Sequence, residues 1–198
     1  KVTQQPVKYV INTGGQDHRW LGNGYFREIG AQIIASRKAL ADMQERGEMQ
    51  MAALKPTLRE KLAGTQIAYP DRLFDQTDSL KLGGEEIQII FTHGGHTPGD
   101  AIVWLPNSRT LFSGDIIFTD RLLGMQPFSN SNIWLASVEE IEKLNPEVII
   151  PGHGKVCDLA QARRDTKDYL SLLRNHMRKA YDAGSDLQQA IAPLDQSA

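Results

Sequence analysis

The chain has 198 residues, 40% of them hydrophobic and 23% charged, with a formal net charge of −2. That balance fits one globular domain spanning residues 1–198. It carries no basic block of the kind that grips nucleic acid, and no apolar run near the roughly 20 residues that span a bilayer. The lone cysteine, Cys157, excludes an intrachain disulfide and a thiolate metal cluster. The sequence opens at Lys1 without a signal pattern, and both ends read as cut. Composition gives neither compartment nor oligomeric state.

Taken in chain order, Pro6 to Asn12 is a β-rich run ending in the breaker Thr13-Gly14-Gly15. Residues 23–29 read as a short helix and 31–35 as a buried strand. Ser36 reads as the N-cap of a long helical stretch from Lys38 to Leu62, kinked near Pro56. Its Met43, Met49 and Met51 read as gap-filling core residues. Residues 79–82 and 85–92, joined by Gly83-Gly84, form one hairpin, and residues 101–105 and 109–112 a second. A helix over 132–144 ends at Asn145-Pro146. The short apolar strand 147–150 then leads to an amphipathic helix over 158–183, capped by Gly184. Strand-rich and helix-rich blocks in this order predict an α+β architecture, a sandwich of sheets with helices outside.

Four segments end in an acid or imidazole flanked by glycine or proline: Gln16-Asp17-His18, Gly95-His96-Thr97-Pro98-Gly99-Asp100, Ser113-Gly114-Asp115 and Pro151-Gly152-His153-Gly154. Each follows a predicted strand, so strands fix the positions and glycine loops aim the side chains. Taken singly, each residue has an ordinary explanation. Asp17 suits a helix N-cap, Asp115 a turn, and each histidine a hydrogen-bonded loop. Taken together they make a shared metal site, because imidazole and carboxylate are the ligands of zinc, iron(II) or manganese when thiolates are absent. His176 reads as a surface residue, Cys157 as a small buried hydrophobe, and Trp20 as either packing or an entrance wall.

These motifs resemble the metallo-β-lactamase-fold hydrolases. The matching segments run in order over about residues 6 to 190: Val10-Ile11-Asn12-Thr13 before Asp17-His18, then HTPGD at 96–100, LFSGD at 111–115 and IIPGHG at 149–154. Within that family the chain is most similar to the quinoprotein relay system zinc metallohydrolases and sulfur-oxidation-linked relatives. The resemblance implies an αβ/βα sandwich with a metal site at one edge, here without the family's first strands. It also implies a bacterial periplasmic setting in preference to a cytoplasmic one. The family motif is His-x-His-x-Asp-His. Aligned on Asp17-His18, Thr13 and Gly15 stand where the two leading histidines would be. Of the usual first-site histidines only His96 is left; His93, three residues upstream, is the alternative that would partly rebuild that site, and the reading favours a site without it. Asp17, His18, Asp115 and His153 match the second site.

The resemblance therefore implies one metal ion, zinc first and iron or manganese next, held by Asp17, His18, Asp115 and His153, with His96 as a further ligand-type residue. Asp17 and His96 take the catalytic roles, orienting a water and moving a proton. Thr13 and Gly15 leave open space for a substrate group. The expected activity is hydrolysis of a carbonyl or phosphoryl bond in a small molecule, with no nucleic-acid or membrane partner. Residues 119–130, with Arg121, Met125 and Phe128, are the expected specificity loop. The alternative is a catalytically inactive binding module that keeps the fold.

Overall fold

The computed structural model describes residues 3–194. Two sheets lie at its centre. Strands β1 (Tyr9–Asn12), β2 (Gln32–Ser36) and β3 (Arg72–Phe74) form a parallel sheet in the order β1-β2-β3. Strands β4 (Thr77–Leu82), β5 (Glu85–Phe91), β6 (Ala101–Leu105), β7 (Thr110–Phe118) and β8 (Val148–His153) form a five-stranded sheet in sequence order, antiparallel except for β7 beside β8.

Side-chain alternation explains the layers. Along β2, Ile34 joins Phe74, Leu80, Ile89 and Ala101 in a core cluster with residues of both sheets, whereas Ala35 faces the other way. There it meets Ala39 and Met43 of α3 (Arg37–Leu58) and Trp20 of the one-turn α1 (Asp17–Trp20). Along β6, Ala101 joins the cluster between the sheets, and Ile102 turns outward to Trp134, Val138 and Ile141 of α4 (Ser131–Leu144). The order is helices, sheet, sheet, helices: the αβ/βα sandwich that the resemblance implies. Burying a side chain of the size of Trp134, fully enclosed here, stabilises such a core by about 3 kcal/mol.

Helix boundaries follow their caps. Ser36 Oγ accepts from Ala39 N at 3.0 Å to start α3, and Asn130 accepts from Asn132 N and Ile133 N to start α4. Asn145, at φ 48°, closes α4 in the left-handed conformation that asparagine tolerates. Between these sit α2 (Asn23–Glu28) and, after β8, α5 (Leu159–Ala162), α6 (Tyr169–Asp182) and α7 (Leu187–Ile191).

Several elements differ from the sequence reading. The helix expected over 158–183 is divided into α5 and α6 by a π-helical stretch, residues 163–168. Thr166 accounts for it. Its Oγ1 accepts from Phe118 N at 3.0 Å and donates to Phe118 O at 2.7 Å, tying the helix to the end of β7. Strand β3 was not expected, and Met49 is exposed rather than packed. Strands β7 and β8 run further than predicted. Asp115 and His153 therefore lie inside strands, not in loops beyond them. Register shifts on both sides of Gly114, which has φ 50°, re-aim β7 at that point.

Candidate metal centre

The irregular β7 and its partner β8 place Asp115 and His153 together, and α1 brings His18 over from the other sheet. Asp115 Oδ2 lies 3.2 Å from His18 Nε2, and Asp115 Oδ1 lies 3.6 Å from His153 Nε2. One donor atom from each of the three residues falls within 4.8 Å of the others, so His18, Asp115 and His153 can hold a metal ion. Gly152 makes the approach possible: a Cβ there would overlap the Asp115 carboxylate.

Charge is tightly organised around this trio. Burial alone would push the Asp115 carboxyl up, but the hydrogen bond to His18 and the charge of Arg19 hold it down at about 2. The His18 imidazole is raised, because its bond to Asp115 outweighs its own burial. Burial lowers both His96 and His153. The neutral imidazole that burial favours is the form that ligates a metal.

Asp17 turns back onto its neighbour. Its Oδ1 accepts from His18 N at 2.7 Å and lies 3.1 Å from His18 Nδ1. This leaves His18 Nε2 facing the cluster and the opposite nitrogen fixed by a carboxylate, the usual support of a ligating histidine. His96 is buried between Trp134 and Phe118, with ring centroids at 5.3 and 5.7 Å. Its Nδ1 lies 3.7 Å from Asp115 Oδ2 and is one of the few buried polar atoms without a hydrogen-bond partner. An unsatisfied nitrogen at that place fits a site built to receive a further group. His93 takes no part: it is exposed, at φ 65°, against Phe91. Trp20 is in the core, donating to Gln50 Oε1 at 2.9 Å. Burial raises the Cys157 thiol to about 11, which leaves it unreactive.

Residues 1–153 match the sequence profile of the Metallo-beta-lactamase superfamily. The chain belongs to that superfamily. It is 34% identical over 152 residues to a metallo-beta-lactamase type 2 of Elizabethkingia meningoseptica, covering 74% of this chain and 53% of that protein. It is 22% identical over 137 residues to the Bacteroides fragilis type 2 enzyme, covering 67% and 47%. The chain thus spans about half the length of these relatives. Among solved structures, a metallo-beta-lactamase from Pontibacter korlensis superposes with TM-score 0.69 at 22% identity, over 87% of this chain and 71% of that one. A stereoselective inverting sec-alkylsulfatase from Pseudomonas sp. superposes with TM-score 0.76 at 15% identity, over 98% and 37%. At these identities the superpositions describe the fold alone.

Measured against the superfamily motif, the ground around Thr13 and Gly15 is filled, where the sequence reading left it open. A Cβ at Gly14 would overlap the Arg19 guanidinium, and one at Gly15 would overlap the Asp42 carboxylate. Arg19 is the residue that the sequence reading missed. Its side chain is 5% exposed, and Nη1 donates to Asp100 Oδ1 at 2.8 Å and lies 3.5 Å from Asp115 Oδ2. Nε donates to Thr13 Oγ1 at 3.2 Å and Nη2 to Thr13 O. The signal available in the sequence was indirect: three small residues in a row, with an arginine one turn further on.

Two walls flank the cluster of this metallo-β-lactamase relative. On one side a groove of about 340 Å³ is lined by Asp17, His18, Leu21, Leu54, Leu58 and Thr65, among others. On the other lies the 119–130 loop. Arg121 Nη1 is 3.3 Å from His153 Nδ1. Phe128 packs beneath the Arg46 guanidinium, 3.9 Å from ring centroid to carbon, and Arg46 Nε donates to Asp42 Oδ1 at 2.6 Å. No helix among the described residues is long and apolar enough to cross a membrane.

Proposed function

We propose that this chain is a metal-dependent hydrolase that uses one divalent ion, zinc before iron or manganese, to cleave a carbonyl or phosphoryl bond in a small molecule. The observation that supports this is the convergence of His18 Nε2, Asp115 and His153 Nε2 around one position. When bound, such an ion lowers the pKa of a water molecule and polarises the bond under attack.

The protein's own groups have separate tasks. His18, Asp115 and His153 would hold the ion. Asp17 accepts from His18 Nδ1 and so directs Nε2 inward. His96, kept neutral by burial, offers Nδ1 beside Asp115 as a further donor or as an acceptor for a proton. The groove beside His18 and the 119–130 loop bound the space for substrate. The likeness to quinoprotein relay system zinc metallohydrolases is our finer placing, supported by the ordered HTPGD, FSGD and PGHG motifs.

The test is metal content by mass spectrometry on protein purified without chelator, with Asp115→Ala in parallel. About one zinc or iron per chain, lost in the variant, is the expected result and directs screening to esters, thioesters, lactams and phosphate esters. A folded protein that takes up no metal when supplied would refute the hydrolase reading and leave a binding module that keeps the fold.

A further inference from the structure

We infer that Arg19 is a resident cation that stands in place of a second metal ion and limits the centre to one. The inference rests on the proposed metal site but makes a separate statement about it. Arg19 Nη1 bridges two carboxylate oxygens, at 2.8 Å from Asp100 Oδ1 and 3.5 Å from Asp115 Oδ2. Both acids are buried, as is the guanidinium between them. The unpartnered His96 Nδ1 lies 3.7 Å from the same Asp115 oxygen. Asp115 Oδ2 thus faces an unpartnered imidazole and a guanidinium nitrogen on the side away from His153, and that nitrogen supplies the positive charge there.

The surroundings are built for the guanidinium. Gly14 and Gly114 leave the room it occupies: a Cβ at Gly14 would overlap it, and one at Gly114 would lie 3.0 Å from Nη2. Thr13 supplies both its carbonyl and its hydroxyl as acceptors. The planar fork of arginine suits several fixed acceptors at once, and its charge does not titrate away. Thr13 stands where the superfamily motif has a metal-binding histidine, so the exchange is coherent: a neutral ligand for a cation is replaced by an acceptor for a built-in one. A second divalent ion at this point would meet a fixed positive charge at contact distance. Arg19 is almost wholly enclosed, so it acts on Asp115 and on the bound ion as a positioning residue rather than on substrate.

The test is zinc binding by calorimetry and by mass spectrometry at saturation, on the wild-type protein, Arg19→Lys and Arg19→Gln, with folding checked by circular dichroism. The wild type and Arg19→Lys are expected to hold one zinc per chain. Arg19→Gln removes the fixed charge beside Asp115 and is expected to hold two, with the first bound about tenfold tighter once that charge is gone. Two zinc ions in the wild type overturn the inference, and so does a folded Arg19→Gln that keeps one zinc at unchanged affinity. Should Arg19→Gln fail to fold, anomalous diffraction from zinc in wild-type crystals decides. Zinc at His18, Asp115 and His153, with Arg19 still on Asp100, supports the inference. Zinc between Asp100 and His96, with Arg19 displaced, overturns it. A wild type that takes no zinc refutes the metal site itself and this inference with it; the other failures leave the one-site hydrolase reading standing or change only its count.

Discussion

The two sides of Asp115 are built in opposite ways. Towards His18 and His153 the site is partly exposed, and its groups are ones that release protons to receive a metal. Towards Thr13 and Asp100 it is closed, and the positive charge is covalently part of the chain. The first side can receive an exchangeable cation, and the second already holds one fixed to the chain. The difference teaches that loss of ligands need not leave a vacancy. A buried carboxylate such as Asp100 still requires a partner, and an arginine on the next turn supplies it.

The largest expected effect falls on the closed side. Arg19→Ala leaves Asp100 buried without its cation and should destabilise the fold by about 3 kcal/mol, measured by denaturant unfolding. The hydrogen bonds from Thr97 N and Thr97 Oγ1 to Asp100, both 2.6 Å, keep the loss at the lower end of the range for broken buried pairs. An Arg19→Ala protein as stable as the wild type would erase the distinction between the two sides.

Next is acid stability of the metal-free protein. The Asp115 carboxyl is held at about 2, below its ordinary 3.8, so its stabilising contribution is complete above roughly pH 4 and is lost as pH falls through about 2. The contribution is about 2 kcal/mol. An acid titration of unfolding free energy should show a slope in that window that Asp115→Asn removes. The raised His18 imidazole adds a different pH effect. Its proton occupies the metal-facing side below its elevated pKa, so metal affinity should fall as pH drops through that value.

Smaller effects belong to the open side. Asp17→Asn weakens the hold on His18 Nδ1 and should lower metal affinity about 10- to 100-fold without changing the fold. Smallest is Arg121→Ala. A metal on His153 Nε2 requires a proton on Nδ1, where Arg121 also presents a donor at 3.3 Å. Removing Arg121 should tighten metal binding by roughly twofold to fivefold in calorimetry, a fraction of one like-charge contact near the surface.

Most of the sandwich was legible because its signals are local. A short apolar run marked β2, the Gly83-Gly84 turn marked the first hairpin, and Ser36, Asn145 and Gly184 marked helix ends. Strand β3 escaped because Arg72–Phe74 is three residues long, paired only by its neighbour β2. The π-helical stretch escaped because Thr166 acts across 48 residues on Phe118. At the metal centre, glycine flanks pointed to Asp115, His96 and His153. They could not show that Asp17 would fold back on His18, or that Arg19 would point inward while His18 beside it stays partly exposed. Those outcomes depend on the rotation of a single helical turn, which α1 settles by burying Trp20 against Tyr69 and Gln50.

The stack of Phe128 on Arg46, with Arg46 clamped to Asp42 and Asp42 lodged against Gly15, has a consequence for redesign. The outer wall that would choose a substrate and the backbone that carries the metal ligands are joined by three side chains in series. Grafting a foreign 119–130 segment onto this scaffold would cut that linkage and release the Gly15 turn. New selectivity in this protein therefore has to be sought in steps that keep an aromatic ring at 128, with Arg46 and Asp42 untouched.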